Sequence, residues 1–248
     1  MSLQFDDIHN NVTRGKVSIA GFGPGNPELL TIKTHKALKT ADVVFYDDLL
    51  DASYLDNYKA EKVYVGKRRG NHACSQAEIN NMLLEAALEG KNVLRLKGGD
   101  PLIFGRGIEE YNFLAERNVE VELVPGISSA MAAAADALVS LTARGVSSSL
   151  AFVSGHDLEK LIIPRADTLV VYMGASNQKP LAKLMIEQGW DEATPLVVVR
   201  NASYKDAETR RYTLRSLQES MNLLPSPAIM IIGWTAAETS QQLIKPAV

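Results

Sequence analysis

Cysteine is almost absent from this 248-residue chain: Cys74 stands alone, so no disulfide forms within it and a reducing compartment, the cytoplasm, is expected. Histidine is nearly as sparse. His9, His35, His72 and His156 are scattered, without the spacing of a zinc site, so no metal is expected. An excess of basic charge is missing too. The 26 Lys and Arg residues against 29 Asp and Glu leave a net charge of −3, which argues against a nucleic-acid surface, and any anionic ligand must be met by local clusters. No apolar run approaches the length of a membrane span, and the polar start from Met1 to Asn11 lacks a signal-peptide core, so no membrane partner is expected. Short repeats, low-complexity tracts and long charged runs are lacking as well, so nothing points to a solenoid or a disordered arm.

What is present is enough apolar residue, 46% of the chain, to build real cores in one or two α/β domains. Lys16 to Ala20 reads as a strand, Pro27 to Lys39 as a helix with Asn26 as N-cap, and Ala41 to Tyr46 as a second strand, a βαβ unit. Ser75 and Glu78 form a capping box that opens an amphipathic helix, which Gly90 stops before a strand at Val93. Gly107 to Asn118 reads as a helix, Val119 to Val124 as a strand, and Ala130 to Ala137 as a small-residue helix. The pattern then restarts with strands at Ser149 to Ser154, Thr168 to Met173, Pro195 to Arg200 and Pro227 to Ile232, and a helix between Lys179 and Gln188; Thr213 to Asn222 is either a helix or a strand pair. The expected architecture is two α/β domains, residues 13–137 and 138–246.

The most informative stretch is Val93 to Pro101 followed by Phe104-Gly105-Arg106-Gly107. An apolar run breaks into Gly98-Gly99, the carboxylate of Asp100 and Pro101, the pattern of a buried parallel strand delivering open backbone and one charge to its carboxyl end, where α/β sheets bind ligands. There the glycines let main-chain groups approach a ligand, and Asp100 is a candidate acceptor for ribose or amino groups. The same four residues also make good turn chemistry. Gly21-Phe22-Gly23-Pro24-Gly25 follows the first strand and Asp47 ends the second, as in a dinucleotide-binding unit. Pro24 interrupts the required glycine spacing, however, and Asn26-Pro27 displaces the helix N-terminus from a pyrophosphate.

Several of these motifs, in this order, resemble the tetrapyrrole methylases. They are Gly21 to Pro27 with Leu29-Leu30-Thr31, Ala41 to Val44 with Tyr46-Asp47, and Val65 to Arg68 through Gln76, Glu78, Ile79 and Asn80. The likeness continues in Leu96 to Pro101, Ile103 to Gly107 with Glu109-Glu110, Val124 to Ile127, Leu141-Thr142 with Arg144, Gly155-His156, and Tyr172-Met173-Gly174. It covers roughly Gly15 to Gly233. The resemblance implies two α/β domains with S-adenosylmethionine in the cleft between them, methyl transfer to C2 and C7 of uroporphyrinogen III to give precorrin-2, and a homodimer.

Carried over residue by residue, the resemblance implies cofactor contacts from Pro24, Gly98, Gly99, Asp100, Ile103, Ser128, Ser129, Met173 and Ala202, the last standing where the family usually has glycine. It offers Asp47 as proton acceptor and Lys67 as proton donor. Read from the residues alone, Asp47 is equally a turn cap beside Asp48, and Lys67 a carboxylate ligand beside Arg68 and Arg69. A methyl sulfonium needs no metal to activate it, so positioning and water exclusion are the enzyme's main tasks. Uroporphyrinogen carries carboxylates around its rim, and Arg68, Arg69, Arg106 and Arg144 are candidates to grip them bidentately. Glu109 either orients an arginine or bonds pyrrole N–H groups, or else stabilises a helix N-terminus. Ile108 and Ala143 replace a glycine and a histidine of the family pattern, which bears on substrate choice. A sibling precorrin methyltransferase and a non-catalytic cofactor-binding or sensor module are the alternatives.

Overall fold

The structure is a computed structural model that describes residues 14–48, 50, 52–66 and 74–237. Contacts divide it into two units: residues up to 22 with 30–126, and 23–29 with residues from 127 on. The first carries strands β1 (Lys16–Gly23), β2 (Val43–Tyr46), β3 (Glu61–Tyr64), β4 (Val93–Gly98) and β5 (Glu120–Val124), in the order β3-β2-β4-β1-β5. β1 pairs in parallel with β5, and β2 in parallel with both β3 and β4. Helices α1 (Ile32–Thr40), α2 (Gln76–Leu88) and α3 (Gly107–Ala115) complete it.

Strand alternation sorts the side chains into two cores. Val17, Ile19, Val43, Phe45 and Val93 join Leu83 of α2 and Leu114 of α3 in one cluster, whereas Ala20, Phe22, Val44, Leu94 and Leu96 join Leu38 of α1 in another. Both faces of the sheet are therefore covered, as the near-continuous apolar strands require. The same alternation turns Arg95 and Lys97 of β4 towards the α2 and α3 side.

The second unit holds β6 (Leu150–Ser154), β7 (Thr168–Tyr172), β8 (Pro195–Arg200), β9 (Glu208–Thr213) and β10 (Ala228–Gly233), ordered β6-β7-β10-β8-β9. Only β6 and β7 run parallel; β10 is antiparallel to β7 and β8, and β9 to β8. Helices α4 (Ser129–Asp136), α5 (Gln178–Glu187) and α6 (Leu214–Glu219) belong to it, with Leu181, Met185, Leu214 and Leu217 packed into a core with Leu196, Val198 and Met230. α4 packs on β10 and β8, so by its contacts it goes with the second sheet. Among the described residues, no helix is long and apolar enough to cross a membrane.

One local expectation is corrected, one alternative is resolved and two strands are added. The helix expected from Pro27 is a 3-10 turn at Pro27–Leu29 followed by α1, which starts only at Ile32 because the Thr31 hydroxyl, not Asn26, accepts the capping bond from the Thr34 N–H. Thr213 to Asn222 resolves into the short helix α6 capped by Thr213. Strands β3 and β9 had no counterpart in the sequence reading. Both lie at sheet edges and carry polar, half-exposed residues, so they lack the apolar run that marks a central strand.

Candidate functional site

The carboxyl ends of β4, β1 and β5 converge on three glycines. A Cβ on Gly21 would lie 2.4 Å from the Gly99 carbonyl oxygen and 2.6 Å from the Gly126 Cα, and one on Gly126 would lie 2.2 Å from that same oxygen. Backbone thus packs directly on backbone, and Gly99 turns the chain there at φ +68°. Asp100 locks the arrangement: its Oδ1 accepts from the Leu102 N–H at 2.8 Å and its Oδ2 from the Gly126 N–H at 3.0 Å. The sequence reading offered a ligand-binding role and a turn for this residue, and the structure shows the turn-forming bonds. Gly98, Gly99, Asp100 and Ile103 are all half-buried on this loop, with the Ile103 N–H donating to the Asp100 carbonyl.

Beyond the loop, Arg106 holds a left-handed conformation as N-cap of α3 and closes on Glu109, which accepts from Arg106 Nε and Nη2 at 2.6–3.1 Å. The pairing raises the arginine pKa and lowers that of the glutamate, in each case chiefly through this hydrogen bond. Both side chains are about half exposed, so the guanidinium is pre-oriented yet open to an anion. Leu102, Phe104 and Ile108, all exposed, give the same segment an apolar surface.

Asp47 follows β2 with its carboxylate one-quarter exposed, and accepts from Arg95 Nη2 at 3.2 Å. That arginine leads to a buried cluster which the sequence reading missed. Glu110 Oε1 accepts from Lys97 Nζ at 2.8 Å, from Gln76 Nε2 at 3.0 Å and from Arg95 Nε at 3.3 Å, and the Glu110 side chain has no exposure at all. Burial first, and the neighbouring Arg95 second, lower the Lys97 pKa, while Glu110 opposes them. The available signal was two charged residues, two apart, in a strand otherwise apolar. Lys67, Arg68 and Arg69 lie outside the described residues.

The second unit gathers its own candidates. Ser128 caps α4, and its hydroxyl is 2.6 Å from that of Tyr172, which places Ser128 and Ser129 beside the end of β7, where Met173 takes φ +54° and stands half exposed. Pro24 is buried in a segment pinned to the loop around Ala202: the Asn26 N–H donates to Ser203 Oγ at 3.0 Å, and the Ser203 N–H to Asp136 Oδ2 at 2.7 Å. A Cβ on Gly25 would lie 2.1 Å from the Tyr204 ring, so aromatic packing explains this glycine without a pyrophosphate. Ala202 is itself buried, between Asn201 and Ser203 in left-handed conformations. Arg144 sits exposed in the turn closed by the Ala143–Ser147 bridge.

Residues 16–218 match the family of Tetrapyrrole (Corrin/Porphyrin) Methylases. The chain is 42% identical over 235 residues to the uroporphyrinogen-III C-methyltransferase of Methanocaldococcus jannaschii, covering 88% of this chain and 96% of that protein. It is 43% identical over 232 residues to the siroheme synthase of Psychrobacter cryohalolentis, covering 89% of this chain but only 44% of the relative, so it spans less than half of that protein's length. Among solved structures, the uroporphyrin-III C-methyl transferase of Thermus thermophilus complexed with S-adenyl homocysteine superposes with a TM-score of 0.79 at 39% identity, over 89% of this chain and 98% of that one.

Proposed function

The chain belongs to the tetrapyrrole methylase family, and from that premise we propose that it is an S-adenosylmethionine-dependent C-methyltransferase that methylates uroporphyrinogen III at C2 and C7 to give precorrin-2. The observation that carries this reading is the glycine-lined loop after β4, set in a chain that matches a uroporphyrinogen-III C-methyltransferase over nearly that protein's full length. Sirohaem synthesis is the route the siroheme synthase relatives favour, and cobalamin synthesis shares the same product.

The residues present fit the cofactor. Gly98 and Gly99 offer main-chain groups with no Cβ in the way, and Met173 and Ser129 offer partly exposed side chains to a sulfonium nucleoside. We assign its binding to Pro24, Gly98, Gly99, Asp100, Ile103, Ser128, Ser129, Met173 and Ala202, the positions that match the family's pattern. S-adenosylmethionine supplies a methyl group already activated as a sulfonium. The protein's share is then to hold a pyrrole carbon in line, exclude water and remove the proton lost as conjugation is restored. Asp47 is assigned as acceptor of that proton and Lys67 as proton donor. Arg68, Arg106 and Arg144 are assigned to the substrate's carboxylates, with Glu109 orienting Arg106 as the bidentate contact indicates. We read the active form as a cytoplasmic homodimer.

The experiment is incubation with uroporphyrinogen III and S-adenosylmethionine. Appearance of a dimethylated tetrapyrrole supports the proposal; binding of the cofactor without any methyl turnover refutes it and leaves a sibling precorrin methyltransferase or a sensor module.

A further inference from the structure

The Arg95, Lys97 and Glu110 cluster is absent from the roles assigned above, and its geometry is unusual. Glu110 Oε1 collects three donors, on α2, on Arg95 and on Lys97, while Glu110 Oε2 is buried with no hydrogen-bond partner. A buried carboxylate loses hydration at both oxygens, so leaving one bare is costly. Buried ion pairs are also poor stabilisers relative to apolar side chains of similar volume, and Val93, Phe45, Leu83 and Leu114, buried in the same layer, show that an apolar solution was available there. Stability alone therefore accounts badly for the cluster.

Direction accounts for it better. Arg95 is fastened at each end of its guanidinium: Nε donates to Glu110 Oε1, Nη1 to the Leu96 carbonyl at 2.9 Å, and Nη2 to Asp47 Oδ2 at 3.2 Å. Glu110 is the only side chain among the described residues that grips both Arg95 and Lys97, and α3 presents it on its buried side while the neighbouring Glu109 is exposed. A planar guanidinium bonded on its Nε edge has its Nη2 edge fixed in direction.

We propose that Glu110 is a positioning residue for methyl transfer: anchored by Lys97 and Gln76, it orients the Arg95 guanidinium, which in turn holds the Asp47 carboxylate towards the substrate carbon. The inference rests on the reading of Asp47 as proton acceptor. It predicts that the cluster acts on the chemical step and not on cofactor binding, although Lys97 directly precedes the glycine loop.

The test compares the wild-type protein with Asp47→Asn, Glu110→Gln and the double variant Lys97→Met/Glu110→Met, which removes the buried charges as a pair. Each is measured for denaturation midpoint, S-adenosylhomocysteine Kd by calorimetry, and kcat and KM with uroporphyrinogen III. The account expects the double variant to fold, to keep Kd and KM within about threefold, and to lose kcat by about tenfold or more. Glu110→Gln, which keeps the shape and one acceptor, should show the same split. Unchanged kcat in either folded variant, with Asp47→Asn inactive, overturns the positioning role while leaving the function intact. A Kd that weakens in step with kcat also overturns it, since the cluster would then be supporting the cofactor loop. Full turnover by Asp47→Asn instead refutes the proton-acceptor reading, and the inference falls with it.

Discussion

Replacing Gly21 with alanine isolates the packing of the strand ends from every other property of the glycine. Gly21 does not sit in the left-handed region, so alanine can adopt its backbone angles, and the whole effect is steric. The added methyl carbon would stand 2.4 Å from the Gly99 oxygen, 2.6 Å from the Gly126 Cα and 2.8 Å from the Gly126 nitrogen. All three are main-chain atoms and cannot rotate away as a side chain would. β1 is paired with β5 over Lys16 to Ala20 and lies beside β4, so relief requires prising apart the end of a hydrogen-bonded ladder. Overpacking of this kind costs typically about 1–3 kcal/mol, and with three backbone contacts the upper end applies. For a chain of this size, about 3 kcal/mol corresponds to a fall in Tm of roughly 6–12 °C. Gly145→Ala is the control. Gly145 has φ +78° but nothing within 4 Å of its would-be Cβ, so it bears only the left-handed strain of about 1–2 kcal/mol. Urea denaturation followed by circular dichroism gives both values. S-adenosylhomocysteine titration should show weakened binding in Gly21→Ala and unchanged binding in Gly145→Ala. A Gly21→Ala protein as stable as the wild type, or less perturbed than Gly145→Ala, would refute the claim that these strand ends are packed backbone to backbone.

Arg106→Ala should lower uroporphyrinogen turnover by about 10- to 100-fold, the loss of a charge-assisted hydrogen bond to a substrate carboxylate, while S-adenosylhomocysteine affinity stays near normal; steady-state kinetics and calorimetry check it. Arg106→Lys should recover only part of that loss, because an ammonium cannot reproduce the fork that Glu109 orients. Lys97 carries a pKa below the ordinary lysine value, so over the window from that lowered value up to about 10.5 the unfolded chain binds more protons than the folded one, and stability rises with pH. Subtracting the stability–pH curve of Lys97→Met from that of the wild type should expose this rise; a difference that falls with pH there contradicts the assignment. Calorimetry should find S-adenosylhomocysteine binding and no binding of nicotinamide dinucleotides, since Tyr204 covers Gly25.

The parallel sheet was legible because Val93 to Lys97 and Lys16 to Ala20 are largely apolar runs, and Val119 to Val124 alternates apolar with acidic residues as a half-exposed strand does, each ending at glycine or proline. The capping box at Ser75 and Glu78 was equally readable, since both reciprocal bonds are local. Edge strands β3 and β9 were hidden by their polar composition, and the start of α1 by a proline that begins a 3-10 turn instead. At the site, the Arg106–Glu109 pair follows from a spacing of three on a helix, whereas contacts between Gly25 and Tyr204 or Ser128 and Tyr172 join residues far apart in sequence and leave no local mark. Arg95, Lys97 and Glu110 were masked for a different reason: a strand read as apolar conceals its charged alternate positions until the partner helix is known.

The central claim is methyl transfer to a tetrapyrrole, and product analysis tests it most directly. Purified protein, uroporphyrinogen III and S-adenosylmethionine are incubated anaerobically, and tetrapyrrole mass and S-adenosylhomocysteine are followed together. The account predicts a product carrying two added methyl groups, with one S-adenosylhomocysteine formed for each. Unaltered uroporphyrinogen III, in a sample that binds S-adenosylhomocysteine, would contradict it.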